Sequence, residues 1–327
     1  MLGELSSFLD SAFSTPEHRF AFAPDVLRWK YLAPSGFGTP SRSLLVRENG
    51  RIVAHIGLHF TRFNGLEAVH PYDWIAAGTR SPQGLLLLMR MHRMGDVHYV
   101  FGCTEKAANV FERSGYRVVM TAPLFQRVLD PAAWRHIHGR QPLWKKAALL
   151  TVDRSRSLLH PGGPARRPVE LRPVSAFGQE IEAILRLSPS AIRSSRDPML
   201  LNHFLAYPLK TVRGWHLFRD QKLRGLALAN TVQKGPIRVG KILDCIVDAQ
   251  DTDLWHAAIF GVVSELRALG CQRVEAYGST PWTAQALRAN GFFERGHTPL
   301  RWRDVKEQIP LDKPFHLTYF EADTGLL

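Results

Sequence analysis

Apolar and polar positions along this chain repeat one arrangement of elements. Residues 99–116 have the pattern of an apolar strand, a tight exit at Gly102, one amphipathic helix, and then Gly115 followed by an aromatic residue. The same order returns 176 positions later, where Gly278 and Gly291 stand in place of the two glycines. Two glycine pairs at one spacing predict an internal duplication.

The remaining pattern predicts matching elements in both halves. Each half has a short helix that begins at proline, an antiparallel hairpin, a central strand and a second amphipathic helix. The first hairpin turns at Asn49-Gly50, which is a strong turn signal. The predicted segments are 24–34, 43–48, 51–63, 65–75 and 83–93 in the first half, and 198–208, 215–219, 223–231, 237–247 and 254–269 in the second.

A basic segment separates the two halves. It is rich in Arg, Lys, Pro and Gly, and the run His160-Pro161-Gly162-Gly163-Pro164 is incompatible with a continuous helix. We therefore predict an N-terminal domain over 1–134, a linker over 135–168 and a C-terminal domain over 169–327.

Charge and cysteine content narrow the class of protein. The net charge of +13 favours a negatively charged partner, such as a phosphorylated cofactor, an acidic glycan or nucleic acid. Cys103, Cys245 and Cys271 lack zinc-binding spacing and lie in or beside apolar elements, which predicts buried free thiols. No apolar run approaches the about 20 residues that span a bilayer, and the first ten residues do not resemble a secretory signal. We expect a cytoplasmic enzyme.

The order of elements resembles the GCN5-related N-acetyltransferase (GNAT) family, and the chain is similar to a tandem pair of such domains. The resemblance rests on the element order and the two strand–helix–Gly–aromatic units. It implies an α/β (α+β) fold in which each domain is a mixed, mostly antiparallel sheet flanked by helices. It also implies acetyl-CoA as the acyl donor.

The family holds coenzyme A at a glycine-rich loop that opens a helix, because bare backbone N–H groups there bind pyrophosphate. The matching stretch is Ser81-Pro82-Gln83-Gly84-Leu85-Leu86, where Gly84 fits the first glycine and Leu86 replaces the second small residue. By resemblance, the cofactor-binding residues are Ile75, Ala76, Ala77, Gln83, Gly84, Leu85, Leu86, Thr104, Ala108 and Phe111. The second half offers Asp251 and Asp253 and no glycine at this place, so we expect it not to bind coenzyme A in the family manner.

Candidate catalytic groups lie on the central strand of the first half. In the family a carboxylate there commonly acts as general base for the attacking amine. Asp73 is the first candidate and His70 the second, and a satisfied polar residue at a strand end also explains each. The family's tyrosine acid, four residues before the closing glycine, is replaced by Phe111 and Leu287, which donate no proton.

Three functions follow. The first is transfer of an acetyl or other acyl group from coenzyme A to an amine, by the N-terminal domain, with the C-terminal domain shaping the cleft for a small-molecule or glycan acceptor. The second is an aminoacyl-tRNA-dependent transferase, which the double module and the charge favour. The third is a non-catalytic binding module that has kept the fold. The incomplete glycine-rich loop and the missing tyrosine favour this function.

Overall fold

The structure is a computed structural model that describes residues 1–13, 20–33, 42–78, 82–130, 142, 144, 151, 165–187, 191–248 and 250–326. Its helices are α1 (Leu2–Phe13), α2 (Pro24–Tyr31), α3 (Pro82–Met91), α4 (Glu105–Arg113), α5 (Ile181–Leu187), α6 (Pro198–Leu205), α7 (Thr252–Ala268) and α8 (Pro281–Ala289). Its strands are β1 (Ser43–Glu48), β2 (Arg51–Phe63), β3 (Leu66–Ala76), β4 (Val97–Phe101), β5 (Arg117–Val128), β6 (Glu170–Val174), β7 (Val212–Arg219), β8 (Lys222–Lys234), β9 (Ile237–Val247), β10 (Arg273–Tyr277) and β11 (Phe293–Arg303). A short 3-10 turn covers Asp323–Leu326.

The predicted duplication is present, and the two strand–helix units begin and end their helices with the same residue types. The Thr104 side chain accepts a hydrogen bond from the Ala107 N–H at the start of α4, and Thr280 does the same for Thr283 at the start of α8. Gly115 and Gly291 follow these helices with positive φ angles of 88° and 75°, which glycine adopts without the steric cost of a Cβ.

All eleven strands form one sheet, in the order β1-β2-β3-β4-β11-β5-β10-β9-β8-β7-β6. The closing strand of the second half, β11, is therefore inserted between β4 and β5 of the first half. It is antiparallel to both, with Leu300 opposite Phe101 on β4 and opposite Met120 on β5. Strand β5 in turn pairs with β10, so the two halves exchange their closing strands.

The two faces of the sheet carry different cores. On β4, Val97, Tyr99 and Phe101 face a cluster that draws on both halves and includes α2, α5, α6 and residues 315–322. Val100 points the other way, into a first-half cluster with α3 and α4. The helices α7 and α8 cover a separate second-half cluster. The two halves therefore meet on the α2/α6 face.

The pattern missed α1, β6 and α5. Helix α1 buries Leu5 and Leu9, one turn apart, against α2 and β2. The predicted linker lies mostly outside the described residues, and the domain boundaries at 134 and 168 stay predictions. Among the described helices, none combines the length and the apolar character that a bilayer-spanning segment needs.

Candidate active site

Strands β3 and β4 separate after a short parallel contact. They pair at Ala68 with Val97 and at Val69 with His98, and β3 then runs on to Ala76 without a further partner on β4. Diverging parallel strands leave backbone hydrogen-bonding groups on both edges, which an extended ligand between them satisfies. This opening is the main candidate site.

The matching opening between β9 and β10 is filled by the chain itself. These strands pair from Arg273 to Glu275 and then diverge. The Phe320 N–H donates to the Leu243 carbonyl of β9 at 3.0 Å, and Ser279, just after β10, exchanges two hydrogen bonds with the backbone of Leu317. Residues 317–320 thus bridge both strands. Among the described residues, no comparable backbone segment crosses the opening between β3 and β4.

A buried ion pair fixes the segment that closes the second opening. The Arg196 guanidinium pairs with Asp244 of β9 and with Glu321, at 2.5 Å for the latter, and all three side chains are fully buried. His316 Nε2 lies 3.2 Å from Asp244. Burial opposes ionisation of Asp244, but the Arg196 charge and the hydrogen bond from His316 outweigh it and lower its pKa. Residues 316–321 are therefore part of the folded core.

His70 lies at the point where β3 and β4 diverge. Its Nδ1 is 2.9 Å from the Tyr99 carbonyl of β4, so Nδ1 carries the proton and Nε2 keeps its lone pair. Nε2 is buried and has no hydrogen-bond partner among the described residues. Burial lowers the pKa of His70 to about 4, which keeps the ring neutral at physiological pH. The ring stacks on Tyr99 with centroids 4.8 Å apart.

Asp73 lies in a β-bulge and is already engaged. Its φ of 44° marks the bulge, where β3 carries an extra residue opposite Ile56. Its Oδ2 accepts hydrogen bonds from Lys30 Nζ at 2.7 Å and from the Tyr31 hydroxyl. Burial raises its pKa, but the Lys30 charge and the two hydrogen bonds outweigh this and lower it. A carboxylate in this state is a weak base.

The predicted cofactor residues divide into two groups. Leu85 and Leu86 are exposed on the first turn of α3, and Thr104 is exposed at the start of α4. Gly84 instead faces the sheet, where an added Cβ would lie 3.2 Å from the Ala76 Cβ. Gly84 thus allows α3 to pack closely against the end of β3. Gln83 is hydrogen-bonded to Glu48.

The other predicted cofactor residues form the wall behind this helix. Ala108 and Phe111 are buried, and the Phe111 ring lies 5.2 Å from that of Trp74. Trp74 Nε1 donates to the Gly84 carbonyl at 3.1 Å, so its indole lies between α3 and α4. Of the remaining three, Ala76 faces Gly84, Ile75 packs away from this wall against the α1/α2 cluster, and the Ala77 N–H donates to the Val53 carbonyl.

Carboxylates occupy the equivalent helix start in the second half. The Asp251 side chain accepts a hydrogen bond from the Leu254 N–H of α7 at 2.7 Å. Asp251 and Asp253 also pair with the buried Arg219, at 3.5 and 3.0 Å. Two carboxylates at this helix start oppose a pyrophosphate.

A cavity lies where the halves meet on the α2/α6 face. It lies beside β2 and β3, and its lining includes Trp29, Arg42, His59, Tyr72, His203 and Tyr207. Of the aromatic residues on α2 and at the end of β3, Trp29 and Tyr72 line this cavity. Tyr31 instead binds Asp73, and Trp74 lies on the opposite face.

Sequence reasoning missed the side chains that make this region polar, namely Lys30, Arg42, Tyr99 and Arg196. Arg42 and Arg196 lie in irregular backbone just before β1 and α6, and no spacing in the sequence marks these four residues as partners. The expectation of three buried thiols is wrong for Cys103, which is exposed with Arg301 Nη1 3.8 Å from its sulfur, whereas Cys245 and Cys271 are buried.

Comparison with solved structures defines the fold. A GCN5-related N-acetyltransferase from Anabaena variabilis superposes with a TM-score of 0.60 at 10% identity, over 93% of this chain and 70% of the other. A putative acetyltransferase from Pyrococcus horikoshii superposes with a TM-score of 0.59 at 10% identity, over 100% of this chain and 90% of the other. N-myristoyltransferase from Saccharomyces cerevisiae, solved with bound myristoyl-CoA, superposes with a TM-score of 0.62 at 11% identity, over 93% of this chain and 79% of the other.

The chain therefore has the GNAT fold, with two GNAT-like units in tandem, as the sequence predicted. No model of a protein family matches the chain, and no curated protein matches it in sequence.

Proposed function

We propose that this protein is an acyl-CoA-dependent N-acyltransferase that transfers an acetyl group to an amine. In this proposal the first half binds coenzyme A and the second half completes the acceptor cleft. The observation that carries it is the contrast between the two openings: the first is crossed by no other segment of the described chain, and residues 317–320 fill the second.

The first-half residues fit coenzyme A in two respects. The diverging strands present free backbone edges, and Gly84 brings the first turn of α3 against the end of β3. Trp74 narrows the space between α3 and α4, so its indole would form the wall of the cofactor site. Bound acetyl-CoA supplies an activated thioester carbonyl.

His70 is the group best placed to take the proton from the amine. Its Nε2 lone pair is unpartnered among the described residues, and the Tyr99 carbonyl holds the tautomer that leaves this lone pair available. Asp73 holds Lys30 and Tyr31 beside the bulge, which is a positioning role. Phe111 cannot protonate the thiolate, so that proton comes from another group or from water.

Binding of coenzyme A tests whether the first half, rather than the second, holds the cofactor. Calorimetry on the full chain compares Leu86→Glu, an exposed change on the first turn of α3, with Gln285→Glu, an exposed change beside the start of α7. We expect Leu86→Glu to weaken binding because it brings a carboxylate near the pyrophosphate, and Gln285→Glu to leave binding unchanged. The reverse result assigns the cofactor to the second half.

A release assay for the free thiol then tests acyl transfer with a panel of amines. Gly84→Glu is the stronger variant, and Gly296→Glu is its control because no atom lies within 4 Å of an added Cβ there. If the wild type neither binds coenzyme A at millimolar concentration nor releases thiol, the protein is a binding module and the proposal fails.

A further inference from the structure

The cavity on the α2/α6 face contains a buried cation without a counter-charge. Arg42 is 3% exposed. Its Nη2 donates to the carbonyls of Trp29 and Ala33, at 3.0 and 2.8 Å, at the end of α2. Within the described residues, no carboxylate lies within 4 Å of its guanidinium, and Arg42 is one of the residues that line the cavity. A desolvated charge of this kind is costly unless a partner compensates it.

The other charged groups of the cavity do not compensate Arg42. Lys30 is balanced by Asp73 and lies 4.7 Å from the centre of the Tyr72 ring. His59 is kept neutral, because burial and the nearby positive groups lower its pKa well below the ordinary value. The excess charge in the cavity is therefore that of Arg42.

The remaining walls are apolar and aromatic. The Trp29 indole stacks on His203 and meets Tyr207 edge-on, with ring centroids 5.1 Å apart. Phe204 and Leu58 complete the lining on the α6 and β2 sides. The lining therefore presents an apolar and aromatic surface beside Arg42.

The cavity points toward the opening between β3 and β4. His59 is directly opposite His70 in the pairing of β2 with β3. The Tyr72 ring stacks on His59 and meets the His70 ring edge-on at 4.9 Å. A ligand held at Arg42 would therefore extend past His59 and Tyr72 toward His70.

We infer that this cavity binds an acceptor that carries a carboxylate as well as its amine, on an aromatic or apolar body, as an amino acid does. Arg42 binds the carboxylate through N–H groups that the Trp29 and Ala33 carbonyls do not use, since a guanidinium presents five donors. A single uncompensated positive charge matches a carboxylate rather than a dianionic phosphate. The inference rests on the proposed function for the identity of the amine as the reacting group.

Calorimetry on the full chain without acyl-CoA tests the inference apart from catalysis. The probes are L-phenylalanine, phenylacetate, phenethylamine and inorganic phosphate. We expect the two carboxylates to bind at millimolar concentration, and phenethylamine to bind at least tenfold more weakly, because it lacks the group that Arg42 binds. Equal affinity of phenylalanine and phenethylamine, binding of phosphate alone, or no binding of either carboxylate overturns the inference.

Variants locate the carboxylate. Arg42→Met is expected to weaken phenylacetate binding roughly tenfold to a hundredfold, and Arg42→Lys is expected to weaken it less. Arg51→Met, an exposed arginine on the neighbouring strand, is the matched control and leaves binding unchanged. If Arg42→Met does not fold, the wild-type comparison of phenylalanine with phenethylamine decides. Acyl transfer to amines with no preference for a carboxylate would overturn this inference while leaving the proposed function intact.

Discussion

Trp29 and His203 occupy the same place in the two halves of the repeat, 174 positions apart, and they stack on each other. Their ring centroids are 4.4 Å apart with an interplanar angle of 8°, and Trp29 Nε1 donates to the His203 carbonyl at 2.7 Å. Equivalent positions of the two halves therefore contact each other directly. The halves also exchange their closing strands, β11 and β5.

Replacement of Trp29 should destabilise the contact between the halves. We expect Trp29→Ala to lower the free energy of unfolding by about 3–5 kcal/mol, because it removes a large buried side chain and its hydrogen bond. Trp144→Ala, at 72% exposure, is the control and should change it by less than about 0.5 kcal/mol. Urea denaturation measures both, and equal effects would contradict the assigned role of the stack.

The strand exchange predicts that neither half folds alone. A fragment covering 1–150 lacks β11, so β4 and β5 lose their common neighbour and expose unpaired edges. We expect this fragment to be unfolded or aggregated by circular dichroism and size exclusion, and co-expression with 165–327 to restore a folded complex. A soluble, cooperatively folded 1–150 fragment would show that β5 pairs with β4 directly.

Two variants separate the roles of His70 and Asp73. His70→Gln should lower kcat/KM about a hundredfold or more, because it removes the proton acceptor. The double variant Lys30→Met/Asp73→Asn removes both charges of the pair together, so no buried charge is left unpaired. If Asp73 only positions its neighbours, this variant keeps measurable kcat/KM above that of His70→Gln, whereas the opposite order makes Asp73 the base.

Buried histidines predict sensitivity to mild acid. Burial lowers the pKa of His70 to about 4 in the folded chain, against an ordinary value near 6.5 in the unfolded one. As the pH falls below about 6.5 the unfolded chain binds the proton first, so stability is complete above this pH and is lost between it and about 4. His70 alone accounts for about 2 kcal/mol between pH 8 and pH 5.

Burial also lowers the pKa of His55, His59 and His98, so their contributions have the same sign. Urea denaturation across this pH range checks the expectation. A stability that stays flat from pH 8 to pH 5 would show that these imidazoles are protonated in the folded chain.

The buried pair that fixes residues 316–321 predicts a large effect from one missing partner. Glu321→Gln leaves Arg196 with one carboxylate less in a fully buried site, and we expect a loss of about 3–5 kcal/mol in the free energy of unfolding. Glu182→Gln, in an exposed pair with Arg186, should cost about 0.5 kcal/mol or less. Similar losses for the two variants would show that water reaches Arg196.

Local signals in the sequence determined the elements of each half. The hairpin at Asn49-Gly50 has the predicted strands on both sides, and β9 was predicted over the residues it occupies. Turn glycines, helix caps and apolar periodicity act over a few residues, so they can be read along the chain. Their repetition 176 positions apart also indicated the duplication, and the order of the repeated elements indicated the GNAT-like fold.

The tertiary structure alone decided which residues meet. It brought Lys30 of α2 into contact with Asp73 of β3, which lies 43 positions away in the sequence, and Glu321 into contact with Arg196, which lies 125 positions away. It also placed Arg42 beside the cavity. It also placed β11 in the first half and residues 317–320 in the second opening. Such choices depend on long-range packing and on the compensation of buried charge, which no local pattern encodes, because the same residues form the same helices and strands whichever partner they reach.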